Sequence, residues 1–184
     1  MSGAPPPGHH RCVLSLGSNL GDRLAYLQGA LDRLLADGEM HAVAVSPLYE
    51  TTPVGGPDQP QYLNAVLIAD TALPPEALLR RVNAVEQALG RVRRERWGPR
   101  VVDIDIVAVG NEQRCGPALT LPHPHAYERA FVLAPWLDVD PDAVLPARGR
   151  VADLLGDLLT AGTPAGGEGG GIRRCADLRL RLPA

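Results

Sequence analysis

The stretch RVRRERWGPRVVDIDIVAV, residues 91–109, passes from an arginine-rich segment into a run of alternating side-chain character. Asp103 and Asp105 alternate there with valine and isoleucine. A period of two is typical of a β-strand that is buried on one face. A Gly-Pro pair just before the strand favours a loop. We therefore predict an arginine-rich loop that leads into a half-buried strand.

The order of elements around this strand predicts an α+β fold. Strand-like runs occupy residues 11–17, 41–50, 62–71 and 101–109, and apolar residues at helical spacing occupy residues 22–38 and 74–90. Asp22 is a candidate N-cap for the first helix, and Gly38 and Gly90 are placed to end the two helices. The order β-α-β-β-α-β is that of a ferredoxin-like core, an antiparallel sheet with flanking helices packed on one face.

The length of the chain predicts one domain with loose ends. The chain has 184 residues, of which 45% are hydrophobic, enough for one substantial core. Residues 1–10 are rich in Pro, Gly and His, and we expect them to be disordered. We expect the domain to cover residues 11–160, with a short helical stretch near 151–159. Residues 161–184 begin with a Gly-rich linker and end in either an added edge strand or a mobile tail.

Composition argues against several classes of protein. The formal net charge is −3, so the chain lacks the strong positive charge of general nucleic-acid binders. No apolar run reaches the length of a membrane span or resembles a secretion signal. The three cysteines are far apart, which fits free thiols in a reducing compartment. We therefore expect a cytoplasmic protein that binds neither nucleic acid nor membrane. We also expect it to be a monomer, although none of these features bears on the oligomeric state.

Asp103 and Asp105 form a candidate metal site. Side chains two positions apart on a strand point to the same face, with Cα atoms about 6.5–7 Å apart. Two such carboxylates are hard oxygen ligands that suit Mg²⁺, which also binds substrate phosphates. The alternative is that the exposed face of an amphipathic strand carries two acids by chance.

The arginines before the strand form a candidate phosphate site. They are Arg91, Arg93, Arg94, Arg96 and Arg100, with Trp97 among them. Arginine forks match phosphate oxygens, and arginines beside metal-loaded carboxylates are what a nucleoside triphosphate requires. A solvated charge run is one alternative. An RNA contact is another, because Trp97 could stack on a base.

Two further features suit a small-molecule site. Tyr62 and Asn64 are two apart in a strand, so an aromatic face and an amide edge project together and could bind a flat heterocycle. A tyrosine on a sheet surface is the simpler interpretation of Tyr62 alone. In the HPH motif, no cysteine or carboxylate lies at zinc-site spacing, so we interpret His123 as facing a phosphate.

Taken together, four segments resemble the family of 6-hydroxymethyl-7,8-dihydropterin pyrophosphokinases of folate biosynthesis. They are LGSNLGD (16–22), YETTPVGGPDQPQYLN (49–64), GRVRRERWGPRVVDIDI (90–106) and LTLPHPHAYERAFVL (119–133). The resemblance covers residues 12–160. It implies an ATP-dependent enzyme that transfers the β,γ-diphosphate of ATP to the hydroxymethyl group of the pterin and releases AMP.

The resemblance also implies roles for individual residues. Catalytic roles fall to Arg91, Arg100, Asp103 and Asp105, and the two aspartates would hold two Mg²⁺ ions. ATP would be bound by Glu86, Arg91, Arg93, Trp97, Arg100, Ile106, Thr120, His123 and Arg129. The pterin would be bound by Thr51, Thr52, Val54, Tyr62, Asn64, Trp97 and Phe131.

Two alternatives stay open from the sequence. Arg94 and Arg96 either meet phosphate or lie on the solvated outside of their loop. The chain as a whole could instead be a ferredoxin-like RNA-binding module, although its aromatic content of 4% and its net acidity argue against that class. Salt-sensitive RNA binding without a response to ATP or pterin would favour the RNA-binding module.

Overall fold

The computed structural model describes residues 3–53, 59–90, 100–160 and 171–183. The elements in chain order are β1 (His10–Ser18), α1 (Arg23–Leu35), β2 (Met40–Val45), β3 (Tyr49–Thr51), β4 (Tyr62–Thr71), α2 (Pro75–Ala88), β5 (Asp103–Val109), β6 (Arg114–Cys115), β7 (Thr120–Leu121), a short 3-10 helix (Ala126–Glu128), α3 (Ala130–Val139), β8 (Val144–Leu145), β9 (Gly149–Arg150), α4 (Val151–Thr160) and β10 (Ile172–Arg174). Within the described ranges no helix is both long and apolar enough to cross a bilayer.

A six-stranded antiparallel sheet organises the chain. Its central strands β4 and β1 pair with each other, and β5 pairs with the other side of β1. On the outer side of β4, β2 pairs with one end and β3 with the other. The strands of the predicted β-α-β-β-α-β core thus take the ferredoxin-like order, and β10 adds a further edge strand beside β3.

The ends of the first two helices follow the predicted signals. Asp22 caps α1, because its side chain accepts a hydrogen bond from the backbone N–H of Ala25 at 3.0 Å. Gly38 and Gly90 follow α1 and α2 with φ values of +74° and +86°. This left-handed conformation is favourable for glycine and ends a helix.

The strand predicted over 41–50 is in fact two strands, β2 and β3. The break lies at Ser46 and Pro47, where proline supplies no N–H to the ladder. The Ser46 side chain takes over part of the pairing, since its Oγ accepts from Val66 N–H at 2.9 Å and donates to Pro47 O at 2.7 Å. The two strands therefore remain aligned along the same side of β4.

Helices cover both faces of the sheet. As predicted, α1 and α2 pack on one face, against a core that includes Leu14, Leu16 and Leu67. The second face packs against α3 and α4, with Val66 and Ile68 in its core. The short helix predicted near 151–159 is α4, whereas α3 is not predicted by the sequence pattern.

Candidate functional site

The strand register brings the predicted site residues together on the second face of the sheet. Gly17 of β1 lies opposite Asp103 on one side and Asn64 on the other. Ser15, two positions earlier, lies opposite Asp105. Directly opposed residues of antiparallel strands share a face. Both carboxylates therefore project to one face, as the alternation predicts, and Asn64 projects to the same face from the other side of β1.

Each carboxylate is paired with an arginine. Arg100 Nη1 donates to Asp103 Oδ2 at 2.5 Å, and Arg129 Nη1 donates to Asp105 Oδ2 at 2.9 Å. The side chains of Asp103 and Asp105 are 22% and 33% exposed. They are thus partly open to solvent and can exchange these partners for a ligand.

His123 lies on the other side of Asp105. Its Nε2 is 3.7 Å from Asp105 Oδ2, and its backbone N–H donates to Val107 O at 2.8 Å, which ties it to β5. The backbone N–H of His125 donates to His123 Nδ1 at 3.2 Å, so the proton of the neutral ring lies on Nε2, toward Asp105. Burial lowers the pKa of His123, while the carboxylate of Asp105 opposes that shift and Arg129 adds to it.

A buried polar pair lies on the same face, two strands away from the carboxylates. Asn64 Nδ2 donates to Thr51 Oγ1 at 2.8 Å, and both side chains are buried. A Cβ at Gly17 would lie 3.0 Å from Asn64 Oδ1 and 3.7 Å from Tyr62 Cδ1, so glycine allows both side chains to approach β1. Burial raises the pKa of Tyr62. An amide edge and an aromatic ring thus lie together, as the spacing in β4 predicts.

The start of α3 contributes from above this face. Arg129 precedes the helix, and its guanidinium lies 5.6 Å from the centre of the Phe131 ring. This distance is within the range of a cation–π contact. The helix packs against β4 and β3, the strands that carry Tyr62 and Thr51. Phe131 and Arg129 therefore lie over the same face of the sheet as the two carboxylates and the Asn64–Thr51 pair.

Asn19 is a residue of this region that the sequence pattern does not single out. Its side chain is buried, with Oδ1 accepting from Arg100 N–H at 2.7 Å. Its Nδ2 donates to Gln59 Oε1 at 2.9 Å and to Pro60 O at 3.2 Å. Asn19 thus joins Arg100, three positions before β5, to the segment that leads into β4. Its neighbours Gly17, Ser18 and Gly21 are typical of a turn, which hides this role.

Other predicted site residues lie elsewhere in the fold. Glu86 and Ile106 are buried toward α1 and α2, the opposite face of the sheet. Glu86 Oε1 accepts from the backbone N–H of Ile104 at 2.8 Å, which ties α2 to β5. Thr120 lies in β7, which contacts β5, and Thr52 directly follows β3.

Several residues with predicted roles lie outside the part of the chain that the structure describes. They are Val54, Arg91, Arg93, Arg94, Arg96 and Trp97.

A family model, 7,8-dihydro-6-hydroxymethylpterin-pyrophosphokinase (HPPK), matches residues 13–141. The chain belongs to this family. A similar protein of Mycobacterium bovis, a 2-amino-4-hydroxy-6-hydroxymethyldihydropteridine pyrophosphokinase, is 50% identical over 162 residues, covering 80% of this chain and 84% of the relative. Relatives of the same name from Mycobacterium leprae and Pseudomonas aeruginosa are 46% and 44% identical, and they cover 94% and 79% of this chain. The alignments span 92% and 90% of those two relatives.

Solved structures of HPPK domains share the fold. A Plasmodium falciparum HPPK-DHPS A437G with SDX-DHP superposes with a TM-score of 0.69 over 95% of this chain, at 14% identity. The chain covers 50% of that longer protein. At this identity the likeness supports the fold alone, and the HPPK assignment comes from the family model and the closer relatives.

Proposed function

We propose that this HPPK family member transfers the diphosphate group of ATP to the hydroxymethyl group of 6-hydroxymethyl-7,8-dihydropterin, giving AMP and the pterin diphosphate, as a step in folate biosynthesis. The observation that carries the proposal is the row of side chains on the second face. Asp103 and Asp105, with their arginine and histidine neighbours, lie at one end of this row, and the Asn64–Thr51 pair lies at the other. A polyphosphate and a flat polar ring can therefore bind side by side.

The triphosphate end would be built on charge. Arg100, Arg129 and His123 surround the two carboxylates, and guanidinium groups bind phosphate oxygens in a defined geometry. Glu86, Ile106 and Thr120 remain predicted ATP contacts, as do Arg91, Arg93 and Trp97. Neutralisation of the triphosphate from several sides favours departure of AMP, which is the main catalytic requirement of phosphoryl transfer.

Asp103 and Asp105 have the chemistry of a magnesium site. No group of three or more His, Cys, Asp or Glu side chains within the described ranges is arranged to hold a metal ion. Two carboxylates nevertheless suit Mg²⁺, which binds through one or two carboxylates together with water and substrate phosphates. We propose that the pair holds two Mg²⁺ ions with ATP. These ions would neutralise the phosphates and make the pterin hydroxyl more acidic.

The pterin end would be built on shape and hydrogen bonding. Asn64 and Thr51 present amide and hydroxyl groups that can pair with the polar edge of the ring, and Tyr62 and Phe131 present aromatic faces. Thr52, Val54 and Trp97 remain predicted contacts. With the ring bound at this end, the hydroxymethyl group of the pterin would point toward Asp103 and Asp105, which lie on the same face of the sheet.

The decisive experiment is a product assay. The purified chain, incubated with ATP, Mg²⁺ and 6-hydroxymethyl-7,8-dihydropterin, should form AMP and pterin diphosphate in equal amounts. Formation of ADP, or no nucleotide turnover by folded protein, would rule the proposal out. The family assignment does not favour the RNA-binding alternative. Salt-sensitive RNA binding in place of AMP formation would be the result that supports it. The cytoplasmic location and the monomeric state remain predictions.

A further inference from the structure

The C-terminal strap, which we define as residues 171–183, runs along the outer edge of β3. Its strand β10 pairs antiparallel with β3, and Ile172 lies opposite Thr51. One backbone bond flanks each end of the pairing, from Thr52 N–H to Gly171 O at 3.4 Å and from Cys175 N–H to Leu48 O at 2.8 Å. The strap therefore covers all three residues of β3.

The far end of the strap is anchored on α1. Leu178 and Leu180 pack against the core between the sheet and α1 and α2. Gln28 of α1 exchanges two hydrogen bonds with the backbone of Arg181, donating from Nε2 to the carbonyl at 2.8 Å and accepting at Oε1 from the N–H at 2.9 Å. The strap is thus held at both ends.

Two arginines of the strap reach both faces of β3. Arg173 pairs with Glu50 at 2.5 Å on the side of α1, and Arg174 pairs with Asp138 of α3 at 3.2 Å on the side of the site. These arginine side chains are 71% and 60% exposed. Exposed ion pairs contribute little to stability, because water and salt screen the charges. The backbone ladder and the packing of Leu178 and Leu180 therefore carry most of the attachment.

The strap bears on the site through Thr51. The hydroxyl of Thr51 accepts the hydrogen bond from Asn64 that orients the amide. Because β3 has only three residues, pairing with β4 alone would leave its outer edge open, and such short edges fray readily. The order β3-β4-β1-β5 keeps Asp103 and Asp105 three strands away from this edge.

We infer that the C-terminal strap is a positioning element for the pterin end of the site. By completing the ladder on β3 it holds Thr51, and through Thr51 it holds the amide of Asn64 in the orientation that reads the ring. The strap thereby sets the affinity for the pterin, whereas the triphosphate end on β5 does not depend on it. The inference rests on the proposed function for the identity of the ligand.

Proline substitutions in the full chain separate the ladder from the side chains. The bonds at Gly171 and Cys175 alternate along β10, which directs the N–H of Arg173 toward Glu50 and the N–H of Arg174 away from β3. Arg173→Pro removes a ladder bond, and Arg174→Pro is its matched control because it removes an exposed arginine and no ladder bond. Arg173→Ala reports the loss of the ion pair alone.

The expected result is a selective loss of pterin binding. Pterin affinity is measured by the fluorescence of the pterin in the presence of the α,β-methylene analogue of ATP. In this analogue a methylene group replaces the oxygen between the α- and β-phosphates, so the bond that the reaction would break cannot be cleaved. Arg173→Pro should raise the Kd of the pterin about fivefold, as expected for loss of an ordering hydrogen bond. The Kd of the analogue should stay unchanged, and Arg173→Ala and Arg174→Pro should resemble the wild-type chain.

Amide hydrogen exchange of β10 shows whether the strap has been released. If Arg173→Pro leaves β10 protected, Leu180→Asp is added to remove a buried anchor as well. A released strap with unchanged pterin affinity would overturn the inference, and so would an equal loss of affinity for both ligands. Failure of the wild-type chain to form AMP would instead overturn the proposed function, so the two failures are distinguishable.

Discussion

Arg100 and Asp103 form an ion pair at 2.5 Å, although the arginine is a predicted phosphate ligand and the aspartate a predicted metal ligand. A triphosphate that binds Arg100 must therefore compete with Asp103 for the guanidinium. Both side chains are partly exposed, so the pair is screened and its loss costs little, about 1 kcal/mol or less. The pairing holds the guanidinium of Arg100 beside Asp103, on the face of the sheet where the proposed triphosphate site lies.

Asp103→Asn should therefore separate ATP binding from turnover. Without Mg²⁺ the substitution frees Arg100 and removes a negative charge, so ATP should bind a few times more tightly, in line with about 0.5–1 kcal/mol for an exposed pair. With Mg²⁺ present, turnover should fall by about a hundredfold or more. The negative charge that develops on the phosphates in the transition state would no longer be stabilised by the metal ion that Asp103 is proposed to hold. Titration calorimetry and AMP release measure the two effects.

Two controls accompany this prediction. Asp142→Asn removes a carboxylate that pairs with Arg150 on the surface, and it should change neither quantity. The double variant Asp103→Asn/Arg100→Gln should lose part of the gain in metal-free affinity, since the freed guanidinium is absent. Metal-free ATP affinity that is unchanged or weaker in Asp103→Asn would contradict the competition between phosphate and carboxylate.

Asp105→Ala should abolish most turnover and leave the fold intact. Asp105 is partly exposed and contacts Arg129 and His123, so its removal opens no apolar cavity. We expect AMP release to fall by at least about a hundredfold. Circular dichroism should show an unchanged fold, and Asp157→Ala on the exposed side of α4 should retain full activity. Near-normal turnover of Asp105→Ala would rule out its proposed metal role.

Much of the fold can be predicted from the sequence, because the periodicity of the apolar residues and the residues that begin and end each element indicate the same helices and strands. The alternation around Asp103 and the cap at Asp22 locate β5 and α1. Helix α3 escapes prediction because Pro135 lies inside it and because the helix is apolar around most of its circumference, so no amphipathic period is visible. The break between β2 and β3 escapes because the Ser46 side chain replaces a backbone partner.

The site is only partly readable for a different reason. The carboxylate pair and the Tyr62–Asn64 pair are local patterns, which strand geometry converts into shared faces. The partners of these residues are not local. Asn19 contacts the backbone of Arg100 at a sequence separation of 81 positions, and Thr51 of β3 contacts Asn64 of the neighbouring strand β4. Such contacts depend on register, which a single sequence states only indirectly.

Thr51→Val should weaken pterin binding selectively. The isosteric change removes the acceptor of Asn64 Nδ2, and an unsatisfied buried donor costs about 1–3 kcal/mol. Asn64 then loses its fixed orientation, so KM for the pterin should rise about tenfold while KM for ATP stays constant. Thr71→Val, at the other end of β4, is the matched control, since it removes a hydroxyl that donates to Glu39 O. Loss of stability in both variants with equal KM values would count against the role of Thr51.

Asn19→Ala should impair turnover more than substrate binding. The side chain joins Arg100, three positions before β5, to the segment before β4, so its loss separates two walls of the site. Leaving the N–H of Arg100 without its acceptor should also cost about 1–3 kcal/mol of stability. We expect kcat to fall about tenfold or more at saturating substrates, measured by AMP release below the melting transition. Ser18→Ala, which removes only a bond to Val101 O, should have a smaller effect on kcat.

Tyr49→Phe should make the chain less sensitive to alkaline pH. Burial, followed by the hydrogen bond to Asp138, raises the pKa of Tyr49 to about 12, whereas the pKa of a tyrosine in the unfolded chain is about 10. A raised pKa means that the stabilisation is fully present below pH ~10 and is lost as the pH rises toward the folded-state value. The Phe variant lacks this titration, so its free energy of unfolding should fall less between those two pH values. Urea unfolding at pH 8 and at several steps above pH 10 measures the difference, with Tyr26→Phe as a control at a residue of α1. Parallel curves for the wild-type chain and Tyr49→Phe would show that the hydroxyl of Tyr49 ionises equally easily in the folded and unfolded chains.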